Sequence, residues 1–274
     1  MAKLRTYKLP LVVAGLAFTL LACGSPPTGE PKPDPPPPGR LEACTDLAAT
    51  VHIPDPVFRD YLHVRTGIPA GQPLTCGALR DLTQLYLGTT RTVGTLAGVE
   101  HMQGVTRVSL DAQHQLTVAE FDRLGALSNV TDLLIDGAAK LTSIEFVESF
   151  TALELLQVDD TALASLAGIE NLTALSTMYV RGNPNLTSAA PVAGLTNLEV
   201  VQLNGAAITS LAPFRGLANL RRLMATDNAL TSIDVSELPA LEELQVTGNR
   251  LTSLPAMAAA GSRTCGRFRS PTTR

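Results

Sequence analysis

The chain contains no tryptophan and few aromatic residues of any kind, with 4 Tyr and 7 Phe among 274 residues. A compact globular core usually leans on large aromatic side chains. Here Leu, Val, Ile and Ala must do that packing, within a hydrophobic content of 45%. There is no excess of positive charge either. A net charge of −4 excludes the basic footprint of a nucleic-acid-binding protein. Four cysteines are too few for a disulfide scaffold in so long a chain. Catalytic signatures are missing as well: no G-x-S-x-G elbow, no phosphate loop and no H-E-x-x-H helix occurs. An enzyme needs acid, base or nucleophile groups that converge in a pocket. The four histidines, His52, His63, His101 and His114, are scattered and read as surface residues. The chain therefore reads as a non-enzyme that requires no cofactor.

What is present begins with a targeting pattern. Lys3, Arg5 and Lys8 precede the apolar run Leu9–Ala22, which is too short for an ordinary membrane span. The run ends in "LLAC", Leu20 to Cys23, with small Ala22 before the cysteine. This resembles the lipobox of bacterial lipoproteins, and the resemblance implies that Cys23 is acylated as the first mature residue. A plain signal peptide, or a core helix with a chance cysteine, is the alternative. Gly24 to Gly39, "GSPPTGEPKPDPPPPG", is half proline and can form neither helix nor central strand. It reads as a semi-rigid spacer reaching about 50 Å at ~3.1 Å per residue, or less simply as a proline-recognition ligand.

The folded region is expected from Leu41. Asp55 followed by Pro56 is a helix-start signal and Gly67 a stop; Val57, Phe58, Tyr61 and Leu62 would share the buried face. A second short helix fits the stretch from Leu74, with Leu79 and Leu82 inward. Cys44 and Cys76 flank this unit, and in an exported protein they would pair. A metal site with His52 and His63 is the rival, although no pair stands at zinc spacing.

From Leu82 onward one pattern recurs. In the stretch "LTNLEVVQLNGAAITSLAPFRGL", Leu195 to Leu217, the apolar spacing is neither the two of a strand nor the 3.6 of a helix. Aligned on L-x-x-L-x-L-x-x-N-x-L, copies start at Leu82, Val105, Val130, Leu153, Leu175, Leu198, Leu220 and Leu241. The intervals are 23, 25, 23, 22, 23, 22 and 21 residues. A triplet such as Val201, Gln202, Leu203 is a short strand whose flanking apolar residues point inward. One copy cannot bury its own apolar edge, so the copies must stack.

These copies resemble the leucine-rich-repeat family, and more narrowly the internalin-like bacterial surface proteins. "LEVVQLNGAAITSLAPFRGL", "LRRLMATDNALTSIDVSEL" and "LEELQVTGNRLTSLPAM" carry the resemblance best, and Ile53–Leu85 resembles the family's helical N-terminal cap. The resemblance implies an α/β repeat solenoid, a horseshoe with a concave parallel sheet and 3₁₀ or tight-turn segments outside. The family's turn Asn bonds backbone groups that the bend leaves unpaired. Here Asn stands only at Asn183, Asn228 and Asn249; the other copies have Thr90, Gln113, Ala138, Thr161 and Ala206. The early turns are therefore expected to be less regular. The organisation reads as signal peptide 1–22, tether 23–40, cap 41–81, about eight repeats 82–257 and a basic disordered tail 258–274.

Binding is the expected function, as a lipid-anchored protein of the bacterial cell envelope, in the outer membrane or on the surface. The third, fifth and seventh positions of each copy alternate with buried residues and are free to contact a partner. The fifth column holds Tyr86 and Tyr179, suited to anchoring an interface. The seventh holds Asp111, Asp136 and Asp159 in consecutive copies, with Asp132 and Asp160 close by. This acidic file would receive a basic protein surface. Calcium is the lesser alternative, since it needs about six to eight oxygen ligands; a solvated acidic edge is the bland one. Arg181 and Arg222 would meet acidic groups of the same partner. An envelope spacer without a ligand, and a carbohydrate receptor, are the other functional classes; the scarcity of aromatics speaks against the second. The tail beyond Met257 has Arg263, Arg267, Arg269 and Arg274 and no acidic residue. It reads as a real basic tail or a shifted ending, with Cys265 a free thiol.

Overall fold

The computed structural model describes residues 44–252. The expected signal peptide, Cys23 with its expected acylation, the proline-rich stretch and the basic tail with Cys265 lie outside the described residues. The first elements form a small cap. Strand β1 (Thr50–Val51) pairs antiparallel with β2 (Leu74–Thr75). Between them runs helix α1 (Pro56–Thr66). The Asp55 side chain accepts the Phe58 backbone N–H, Pro56 opens the first turn, and Gly67 closes the helix at φ 72°. Only a residue without Cβ adopts that conformation freely. Phe58, Tyr61, Leu62 and His63 are buried. Val57, expected on the same face, is 38% exposed. His63, expected at the surface, lies within hydrogen-bond distance of the Ile68 carbonyl through Nδ1, at 3.1 Å. Helix α2 (Cys76–Arg80) follows β2 directly and buries Leu79, and Leu82 beyond it is buried too. Cys44 and Cys76 form a disulfide with Cα atoms 5.8 Å apart.

Eight parallel strands follow in chain order: β3 (Gln84–Leu87), β4 (Arg107–Asp111), β5 (Asp132–Asp136), β6 (Leu155–Asp159), β7 (Thr177–Tyr179), β8 (Val200–Gln202), β9 (Arg222–Met224) and β10 (Glu243–Gln245). The register is that of the repeat alignment. Tyr86, Ser109, Leu134, Gln157, Tyr179, Gln202, Met224 and Gln245 are successive cross-strand partners. The return path contains short 3₁₀ segments such as Val99–His101, Glu145–Ser149 and Ala212–Phe214, and helix α3 (Val118–Phe121). The core is one continuous file of Leu, Val and Ile between strands and return path, with Phe121, Phe150 and Phe214 filling wide points on the return side. Each such side chain contributes roughly 1.5–3 kcal/mol by leaving water.

Two devices tie copy to copy beyond the sheet. The eighth position of each copy from the second onward is left-handed: Ala112, Gly137, Asp160, Gly182, Gly205, Asp227 and Gly248 all have positive φ. There the chain leaves the strand and turns, while backbone N–H groups still donate to the next copy, as Gly182 does to the Asn204 carbonyl. The second device is a ladder of buried amides. Asn228 Oδ1 accepts the Ile208 N–H, and its Nδ2 donates to the Leu203 and Thr226 carbonyls. Asn183 and Asn249 do the same for Thr161 and Leu230. Gln113 takes the role in the second copy. It is fully buried, accepts the Val93 N–H and donates to the Arg91 and Asp111 carbonyls. Thr161 shares the Asn183 rung through its hydroxyl. The strands of the early copies are well formed, with β4, β5 and β6 at five residues each; their turns vary more, since the first copy has no left-handed residue at the eighth position and the second contains helix α3.

Candidate binding face

The third, fifth and seventh columns stand on the side of the sheet away from the core. Their middle is apolar. Leu134 and Tyr179 in the fifth column, and Leu155 and Val200 in the third, are half-buried and separated by polar Gln157, Thr177 and Gln202. Tyr86 on the first repeat strand is 52% exposed. Its backbone N–H is capped by the Tyr61 hydroxyl at 2.9 Å, so the cap satisfies a donor that would otherwise face outward from the sheet edge.

Charge surrounds this middle. In the third column Asp132 is paired with Arg107 at 3.3 Å, and Arg222 with Glu243 at 2.9 Å. Arg222, expected to reach for a partner's acids, thus has an internal one, and Asp132 is likewise compensated. In the seventh column Asp111, Asp136 and Asp159 are direct cross-strand neighbours, as the alignment implies, but they do not form a file of three free carboxylates. Asp159 is buried at 3% exposure. It accepts the Arg181 backbone N–H at 2.8 Å and two guanidinium bonds, from Nε at 3.1 Å and Nη2 at 2.5 Å. Arg181 in turn lies over the Tyr179 ring, 5.7 Å from its centroid. Both guanidinium bonds fall on Oδ2 and the backbone bond on Oδ1, which satisfies a carboxylate that could not remain buried alone. Asp159 is thus buried within the sheet face, while Arg181, paired to it, keeps a half-exposed side chain.

Three carboxylates remain. Asp136 is exposed, Asp111 is partly exposed, and Asp160 is exposed on the left-handed turn. None of the three has an ion-pair partner among the described residues. Partial desolvation holds the Asp136 carboxyl above the usual carboxylate range; Asp159, Asp160 and Asp111 add to that rise, against a lowering by Arg181. The Asp159 hydrogen bond holds the Arg181 guanidinium even more firmly protonated. Among the described residues no group of three His, Cys, Asp or Glu side chains is arranged to hold a metal ion. No helix among them is long and apolar enough to cross a membrane.

Of the apolar centre only Tyr179 was a sequence candidate, although the third and fifth columns contain all of it. Leu134, Leu155 and Val200 carry no signal as single residues and gain one only when the strand register sets them near Tyr179. The Arg107–Asp132 pair had a legible signal in opposite charges at one column position in consecutive copies.

No protein-family model and no curated protein matches the sequence. Solved structures do match. An internalin (InlF) of Listeria monocytogenes superposes with a TM-score of 0.65 at 21% identity, over 73% of this chain and 62% of that one. The chain thus spans less than two thirds of that internalin. Internalin C2 of the same organism superposes with a TM-score of 0.67 at 24% identity, over 76% of this chain and 89% of that one. At such identities the likeness establishes the fold, an internalin-type leucine-rich-repeat solenoid.

Proposed function

We propose that this is a lipid-anchored protein of the bacterial cell envelope, held at Cys23 on a proline-rich tether, whose repeat sheet binds a protein partner. The observation that carries the reading is the sheet face itself. An apolar centre at Leu134, Leu155, Tyr179 and Val200 is bordered by internally paired ions and by Asp111, Asp136 and Asp160, which have no ion-pair partner among the described residues. Desolvated apolar centres with polar rims are how protein interfaces are built. The likeness to internalins supports a binding role on a bacterial surface. The three free carboxylates favour a partner with a basic patch, which they would both attract and steer.

The test is association kinetics of the full chain with partners recovered from envelope extracts. Asp111→Lys with Asp136→Lys should slow association and flatten its salt dependence, while Leu155→Ala should speed dissociation. Unchanged rates in both variants would remove the sheet face from the account. A spacer without a ligand would recover no partner at physiological salt. Labelling with radioactive palmitate, and its loss in Cys23→Ala, tests the anchor separately.

A further inference from the structure

The cap contains a group of side chains that the binding face does not use. The segment before β1 is stitched to α2 by backbone bonds, Cys76 N–H to the Ala49 carbonyl and Gly77 N–H to the Leu47 carbonyl, both 2.9 Å. The Cys44–Cys76 disulfide closes this junction. Cys76 is buried, but Cys44 is only half-buried. Clefts of about 560 Å³ and about 480 Å³ open on the two sides, and Cys44, Cys76 and His101 line both. The His101 imidazole is aimed at the disulfide, with Nδ1 3.0 Å from Cys44 Sγ. Its other nitrogen lies 3.9 Å from Glu100 Oε1. Arg80 of α2 and its C-cap Asp81 face the first cleft, and Asp46 and His52 the second.

We propose that Cys44–Cys76 is a reducible site for a dithiol, with His101 as the proton carrier and Glu100 as the group that steadies it. This inference is independent of the binding face. A disulfide sulfur has no proton to give, so an imidazole beside it can only offer one or receive one from an incoming thiol. The thiolate is the attacking species in exchange, and its access to the sulfur controls the rate. His101 takes the proton from the first thiol of the reductant. That sulfur attacks the accessible Cys44 Sγ and bonds to it. The Cys44–Cys76 bond breaks, its electron pair leaves on Cys76 Sγ, and the proton passes from the imidazolium to Cys76. The second thiol of the reductant then attacks its own partner sulfur in the mixed disulfide, and closes a ring. Cys44 departs and receives the second proton through His101. The protein gains two electrons and two protons, and the dithiol becomes a disulfide. The protein is the substrate of this reaction, and its consequence is a segment before β1 that keeps its backbone bonds to α2 but loses its covalent crosslink to it.

The experiment follows reduction of the full chain by dithiothreitol and by a phosphine, with alkylation and peptide mapping at Cys44 and Cys76. Free thiolate in solution rises about tenfold per pH unit below the thiol pKa. With His101 carrying the proton, the dithiothreitol rate should rise distinctly less than that from about pH 6 to 8. His101→Gln should restore proportionality to thiolate and slow the reaction about tenfold near pH 6.5. The phosphine, which has no proton to lose, should react equally with both chains. A wild-type rate proportional to thiolate overturns the proposal. So does an equal change in the dithiothreitol and phosphine rates, which would mean altered access alone. Should His101→Gln not fold, the wild-type chain decides, with glutathione added as a monothiol to trap the mixed disulfide: a flattened profile with the adduct on Cys44 supports the site, and an adduct on Cys76 overturns it.

Discussion

Replacing Gln113 by alanine removes one rung of the buried amide ladder and nothing on the surface, since the side chain is fully buried. Oε1 accepts the Val93 N–H at 3.1 Å, and Nε2 donates to the carbonyls of Arg91 at 3.0 Å and Asp111 at 2.9 Å. A third carbonyl, of Leu87, lies at 3.4 Å. The Val93 donor would be stranded among apolar neighbours, which costs about 1–3 kcal/mol. Carbonyls tolerate a missing partner better, because each has two lone pairs. The vacated volume adds roughly 1 kcal/mol if the site does not collapse. The sum is about 2–4 kcal/mol, with the carbonyl losses counted as small. For a domain of this size each kcal/mol lowers the melting midpoint by roughly 2–4 °C, so a fall of about 4–16 °C is expected. Calorimetry measures it, and hydrogen exchange at the Val93 amide locates it. The copies with Ala138 and Ala206 at this position still close their turns, so the variant should fold. A loss under about 1 kcal/mol with unchanged Val93 exchange would refute the reasoning, because a buried N–H would then have been orphaned without the expected cost.

Further outcomes follow from the same structure. Asp136→Asn should stabilise the protein at neutral pH. The folded carboxyl titrates above its ordinary value of 3.8, so the native state holds the proton more tightly and stability falls as pH rises from that value through the folded pKa. Urea titrations should show the advantage of the Asn variant vanish below about pH 3.8, where both states are protonated; a constant advantage would assign it to packing. Cys44→Ser with Cys76→Ser opens a crosslink of sequence separation 32, and should cost about 3–4 kcal/mol on the chain-entropy estimate, read by urea unfolding of oxidised wild type against the variant. Gly182→Ala would drive a Cβ into the Asp160 carboxylate at a φ of +64°. A left-handed Ala costs about 1–2 kcal/mol before the collision, and Asp160→Ala in the same chain should return part of the loss in melting temperature.

How much of this was legible in the residues depends on range. The period of 21 to 25 residues is a property of the chain itself, and copies that cannot bury their own edge must stack. The strand register followed at once, down to Tyr86 opposite Ser109 and Asp111 opposite Asp136. The cap helix was equally readable, because Asp55 and Gly67 act on backbone groups within a turn of themselves. Cys44 and Cys76 were the only cysteines flanking that unit, and they meet.

What the tertiary structure alone decided concerns side chains whose partner is one copy away. Asp159 and Arg181 are neighbours only because two strands lie side by side, and their bond buries the carboxylate and fixes the guanidinium on the sheet face. Gln113 sits where the pattern wants Asn, and its extra methylene still reaches the Val93 amide of the preceding copy. His101 stands beside Cys44 across 57 residues of sequence. Column position tells which face a residue occupies, because the pleat alternates with a period of two. It does not tell whether a charge on that face is already matched, because that depends on rotamers and on the neighbour that stacking supplies.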